Sequence, residues 1–318
     1  MTFEIRQWDG QPITEPGLYA GIDIELYHQQ LTAEPSISSS GLRTLFMDSP
    51  RHYFRDSYLN PNRKPRKESE AFTFGRACHH LLLGESDFDK LFEVRPTEYP
   101  DAKTGELKPW NGNATWCRNW LAERAGKKTV LTQTDIENVR GMAASLNDHP
   151  MVQDGCLNGL IEHSLVWQDT ETGVWLKWRP DAIPGDSMLF TDLKSCASVS
   201  DQAIEFSISD YAYEMQAALG ALGCREVLGR DMEAFSLMFC EKSDPWCARH
   251  KTLRPGDLED GIKSVRSAIR LFARCIEKQK WPGPGGDQTD AEYAGLIDRA
   301  VKQRLARREE IERELESL

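Results

Sequence analysis

The chain has 318 residues, 40% of them hydrophobic and 28% charged, enough to bury one substantial core and too apolar for a disordered protein. Its net charge of −11 excludes nonspecific coating of nucleic acid, which depends on clustered Lys and Arg, although local potential still decides whether a nucleic-acid site exists. No basic-then-apolar leader is visible and no apolar run approaches the roughly 18 residues of a membrane span, so a cytoplasmic protein without membrane contact is expected. The eight cysteines form no C-x-x-C pair and read as reduced, packed thiols.

Residues 1 to about 35 read as short strands and turns around small apolar anchors. Ser38 to Ser40 then offer N-caps to a helix carrying Leu42, Leu45 and Phe46, and Ser49-Pro50 splits off a second helical piece with Tyr53 and Phe54. A Ser-rich helix start of this kind could also hold a phosphate on its free N–H groups. The run Arg63-Lys64-Pro65-Arg66-Lys67 is a basic patch able to touch phosphates, or simply a solvated loop. A helix through Phe72, Cys78 and Leu82 follows, with His79 and His80 inside it and a Gly84 stop. Residues 85–112 read as a polar connection. Two more helices come next, one placing Trp116 and Trp120 in the core, the other opened by Thr132 to Asp135.

From Leu160 the period changes to that of strands: one beginning at Leu160, a T-E-T-G turn, Val174 to Trp178, a P-G-D turn, and Met188 to Leu193. Glu162 lies early in the first, where it could support a metal or Lys194, or simply face solvent. Helices follow from Asp201 and from Tyr211 to Leu228; Tyr213 and Gln216, three apart, share a face. An apolar strand from Ala234 to Glu241, a hairpin partner at Cys247 to Thr252, and an amphipathic helix from about Gly256 to Lys280 complete one domain, residues 1–282. Gly and Pro at 283–288 mark a linker, and 289–318 reads as a charged helix suited to the protein surface or to a subunit contact.

The chemistry concentrates in W-R-P-D-A-I-P-G-D-S-M-L-F-T-D-L-K-S, Trp178 to Ser195. Asp192 and Lys194, two apart on a strand, project from one face, and a hairpin can return them beside Asp181. Two carboxylates and an ammonium suit metal-assisted phosphodiester hydrolysis, in which Asp oxygens hold a hard cation such as Mg²⁺ and the lysine orients water or offsets phosphoryl charge. An exposed hairpin ion pair would use the same residue types.

Pro180-Asp181 with Asp192-Leu193-Lys194 resembles the signature of the PD-(D/E)XK nuclease superfamily. Gly75-x-x-x-His79 resembles the helix that precedes the acidic motif in its RecB-like and exonuclease VIII branches, and Y-x-x-Q-A-A from Tyr213 resembles the helix that follows it. The order of P-G-L-Y, I-S-S-S-G-L, F-G-R-A-C-H, E-H-S-L-V-W, R-P-D, T-D-L-K-S and Y-E-M-Q-A-A is similar to exonuclease VIII (RecE-type) domains of phage and prophage recombination. The resemblance implies an α/β core with a mixed central sheet flanked by helices. It also implies Mg²⁺-dependent, or Mn²⁺-dependent, 5′-to-3′ degradation of linear double-stranded DNA, a homo-oligomer, and a single-strand-annealing recombination protein as partner. By the same match His79, Asp181, Asp192 and the Leu193 carbonyl are metal ligands and Lys194 is the catalytic base or water-orienting group. The helix pattern usually continues Q-x-x-x-Y, but Gly220 stands where the tyrosine would be. An endonuclease of repair or RNA-guided systems, and a weakly active DNA-end-binding module, are the alternatives.

Overall fold

The computed structural model describes residues 3–64, 70–83, 88–125, 127–185, 187–284, 302, 304–308 and 311. The amino-terminal segment forms β1 (Ile5–Gln7), β2 (Gly17–Ala20), α1 (Ile24–Tyr27) and β3 (Ser36–Ser38). Two helices follow where the Ser-Pro break predicts them, α2 (Ser39–Met47) and α3 (Pro50–Asp56). Ser49 caps the second through the His52 N–H, and Pro50 sits in its first turn, where a missing N–H costs nothing. The helix bearing His79 is α4 (Glu70–Leu82); the proposed Gly84 stop lies outside the described residues.

The stretch read as a polar connection carries structure of its own: α5 (Phe88–Leu91), β4 (Phe92–Val94), β5 (Glu98–Pro100) and β6 (Leu107–Pro109). Beyond it lie α6 (Thr115–Arg124), β7 (Thr129–Leu131), α7 (Gln133–Asn147), opened by a Thr132/Asp135 capping box, and α8 (Pro150–Gln153). β4 and β7 pair in parallel and bury Phe92 and Leu131 against Ala77 of α4. The expectation of core tryptophans is corrected here. Trp116 remains 36% exposed. It stacks on Tyr99 and meets Trp110 edge-on, while Trp110 also meets Trp120, and Arg95 and Arg124 lie over Trp110 and Trp120. This small layer is too thin to enclose its aromatics, so they cover one another.

The strand expected from Leu160 is broken into β8 (Leu160–Ile161) and β9 (Ser164–Gln168), because Glu162 adopts φ +61°, a left-handed conformation that interrupts a pleat. β9 and β10 (Trp175–Trp178) form the expected antiparallel hairpin, extended to a mixed sheet in the order β1-β2-β9-β10-β3. The further strand is not the third member of that run. The chain passes through β11 (Ala182–Ile183), which pairs antiparallel with β8, before entering β12 (Leu189–Cys196), and β12 pairs in parallel with β13 (Ala234–Glu241). Pro180 and Pro184 lack the N–H that a continuing ladder needs. β13 in turn pairs antiparallel with β14 (Ala248–Thr252), as its hairpin spacing predicts.

After β12 come α9 (Asp201–Asp210), α10 (Tyr213–Gly223) and a π-helical turn at Cys224–Leu228. The helix expected to run unbroken from Tyr211 therefore starts later and changes winding at Cys224. α10 is buried along nearly its whole length, packed on Trp167 and Trp178 on one side and on α11 (Pro255–Lys278) on the other. Trp281 lies beyond α11, stacked on Phe54 of α3 at 4.9 Å and beside Phe272 of α11. Residues 1–281 form one compact unit and 282–318 a second, in which Lys302, residues 304–308 and Ile311 are helical. Among the described residues no helix is long and apolar enough to cross a membrane.

Candidate active site

β12 sets the site. In its buried stretch, side chains alternate between Leu193, which enters a core with Phe74, Cys78 and Met238, and Asp192 and Lys194 on the other face. The expected juxtaposition forms: Lys194 Nζ lies 2.5 Å from Asp192 Oδ2, whose side chain is only 5% exposed. Asp181, at the junction of β10 and β11, reaches β12 without a strand ladder. Its Oδ2 accepts a 2.6 Å hydrogen bond from the Leu193 N–H, and its Oδ1 lies 3.3 Å from His79 Nδ1 of α4. Gln216, one turn into α10, ties the group together by donating to Asp192 Oδ1 at 2.6 Å and accepting from Lys194 Nζ at 3.3 Å. Tyr213, three residues earlier, turns its ring under the ammonium, 4.6 Å from Nζ.

Electrostatics separates the two acids. Burial favours the protonated form of both. For Asp181 this is outweighed by His79, by Lys194 and by the Leu193 N–H, and its pKa falls below the usual range. For Asp192 burial is reinforced by the Asp181 charge beyond what Lys194 offsets, and its pKa rises. His79 shows the reverse balance: burial opposes the imidazolium, but Asp181, with Asp192 behind it, lifts the ring to about 9. Lys194 is likewise held above its ordinary value, Asp192 overcoming burial. It is an ammonium at neutral pH.

Two carboxylates, an imidazole and the neighbouring main chain are the donor types a hard divalent cation takes, so the residues fit one chemically. Among the described residues, though, no three His, Cys, Asp or Glu side chains converge at coordinating positions. His79 instead bonds Asp181, and Lys194 and Gln216 engage Asp192, so a cation would replace these mutual contacts. Leu193, expected to act through its carbonyl, is seen acting through its N–H.

The remaining candidates are distributed differently. Glu162 is held by Arg179, Oε2 to Nη1 at 3.2 Å, because the turn in its backbone directs it to β10's end. Arg63 donates to Gln29 at 2.6 Å and Lys64 is exposed; Arg66 and Lys67 lie outside the described residues. Sequence reading missed Arg43 and Tyr211. Arg43 of α2 donates to the Tyr211 carbonyl at 2.7 Å and lies over the Tyr213 ring at 5.9 Å. A separation of 168 residues leaves no local pattern to betray that contact. Gly220 lies against Trp178: a Cβ there would come 2.4 Å from the indole, so the space beside this position of α10 is filled from strand β10.

A crystal structure titled "Putative exonuclease" from Eubacterium rectale is similar over 89% of this chain and 98% of its own, with a TM-score of 0.57 at 12% identity. A phage related exonuclease from Haemophilus somnus aligns over 64% of this chain and 95% of its own, with a TM-score of 0.30 at 11% identity. No curated protein matches. The family model of the PDDEXK-like domain of unknown function (DUF3799) matches residues 38–292, a span that includes α4, Asp181, Asp192, Lys194 and α10. The mixed α/β core is thus the PD-(D/E)XK fold, and the chain belongs to the PDDEXK-like family DUF3799.

Proposed function

We propose that the site hydrolyses phosphodiester bonds of DNA, working inward from the ends of linear duplexes with a divalent cation, Mg²⁺ or in its place Mn²⁺. The observation that carries this reading is the gathering of Asp181, Asp192 and Lys194 at β12, Gln216 bonding Asp192 and Lys194 and the Leu193 N–H holding Asp181. Binding alone has no need of two acids facing a phosphate. His79, Asp181, Asp192 and the Leu193 carbonyl would hold the cation. When bound, it polarises the phosphate and lowers the pKa of a water. Lys194, kept charged by Asp192, offsets the phosphoryl oxygens and orients the attacking water; its raised pKa favours that role over that of a base. Gln216 holds both groups in register, and Tyr213 fixes the ammonium from below. The likeness to the Eubacterium rectale protein, named an exonuclease, favours end-directed degradation, and the motif order resembling exonuclease VIII domains favours 5′-to-3′ polarity that leaves a 3′ overhang. A homo-oligomer passing that strand to an annealing protein, in the cytoplasm, fits the same reading. Arg63 and Lys64, with Arg66 and Lys67, are candidates for phosphate contact.

Matched linear and covalently closed DNA, incubated with Mg²⁺ or EDTA and with wild type or Lys194→Ala, provide the test. Loss of linear duplex alone, dependent on both Mg²⁺ and Lys194, is expected, with a decrease of roughly a hundredfold or more in the variant. Cutting of closed circles would make the enzyme an endonuclease, and no cutting of either DNA would leave a binding module.

A further inference from the structure

Between α9 and α10 the chain makes a turn that seats Ala212 in the core and leaves Tyr211 outside it. Ala212, buried, takes a left-handed conformation with φ +48°, which costs a residue bearing a Cβ about 1 kcal/mol or more. The consequence is the placement of Tyr211. The residue is 61% exposed, yet its ring stacks on Tyr213, centroids 5.7 Å apart and planes 26° from parallel. Tyr213 is the ring that carries Lys194. The Tyr211 carbonyl is meanwhile held by Arg43 from α2. A lone exposed tyrosine needs no explanation. One fixed by a strained backbone and a distant arginine, and stacked one ring away from the lysine of the site, presents an open π-face next to the phosphate-binding groups.

We infer that Tyr211 forms a nucleobase-stacking subsite, taking the base of a nucleotide adjacent to the scissile phosphate. This inference rests on the nuclease reading above. Every base offers a π-face, so the subsite is indifferent to sequence, as an exonuclease that proceeds along DNA requires. Lys194 and the acids engage the phosphate, while the Tyr213–Tyr211 stack extends from them toward solvent and meets the attached base. The tyrosine hydroxyl has no part in it, so phenylalanine serves equally.

The test is a cycle between side chain and base. Wild type, Tyr211→Ala and Tyr211→Phe are assayed with Mg²⁺ on linear duplexes that are intact or carry an abasic residue at successive positions beside the first scissile bonds. Base stacking on an aromatic contributes about 1–3 kcal/mol, which is a factor of roughly 5 to 150. Tyr211→Ala is expected to lower kcat/KM on intact DNA by a factor in that range, and Tyr211→Phe by less than about twofold. Wild type is expected to lose a similar factor on one abasic substrate, where Tyr211→Ala loses nothing further. A merely structural role would lower both substrates equally and leave the abasic penalty in the alanine variant; that result, or full activity of Tyr211→Ala on intact DNA, overturns the inference while the nuclease reading stands. If wild type cleaves no DNA, both fall together.

Discussion

Two shielded lysines meet the cost of lost solvent in opposite ways. Lys194 keeps its proton because carboxylates face it. Lys177 of β10, 2% exposed, has only dipoles: its Nζ donates to the Tyr27 and Gln29 carbonyls at 2.6 and 3.2 Å, with the Tyr27 and Tyr58 rings nearby. Burial, reinforced by Arg179, lowers it to about 7, and a neutral amine still has two protons for two carbonyls. The unfolded chain, titrating near 10.5, binds a proton throughout the interval in which the folded chain does not. Raising the pH through that interval therefore favours the fold, and the increment is lost as pH falls toward 7. Urea midpoints measured between about pH 7 and about pH 10 should rise for wild type relative to Lys177→Met. Parallel curves for the two proteins would show that Lys177 is charged in the native state.

The helix α10 depends on close approach more than on side-chain bulk. Gly220 abuts Trp178, Gly223 abuts Trp167, and a Cβ on Gly261 of α11 would fall 2.5 Å from the Glu214 carbonyl. These glycines let a helix carrying Tyr213 and Gln216 settle against both the sheet and α11. Gly220→Ala should cost about 1–3 kcal/mol of stability through overpacking. It should reduce activity as well, since Gln216 lies one turn away. A thermal midpoint equal to wild type would mean that Trp178 moves aside freely.

The first unit is closed by contact between segments distant in sequence. Trp281 stacks on Phe54 and approaches Tyr53 and Phe272, joining α3 to the end of α11. Trp281→Ala is expected to cost about 2–3 kcal/mol, somewhat below the value for a fully buried tryptophan, and calorimetry would show a lowered midpoint for the whole unit. A loss confined to local fraying would show instead that α3 and α11 are held independently. With a net charge of −11, the proposed DNA engagement requires a local concentration of cations.

Local chemistry in the sequence determined a good part of this. The alternation of β12 places Asp192 beside Lys194, the 3.6-residue repeat puts Tyr213 and Gln216 on one face, and the hairpin spacing pairs β13 with β14; each depends on neighbours within a few residues. His79 stands out only through the resemblance of its helix, and the structure sets it against Asp181. Tertiary structure alone decided how Asp181 arrives. The sequence suggested a hairpin, but two prolines deny a ladder, and β12 found its partner in β13, 45 residues on at equivalent positions Leu189 and Ala234. It alone also detached Glu162 by a left-handed turn, engaged it with Arg179, filled the space beside Gly220 with Trp178, and joined Arg43 to Tyr211. Those outcomes depend on which distant surfaces meet, and side-chain contacts formed by loop closure leave no periodicity in the chain.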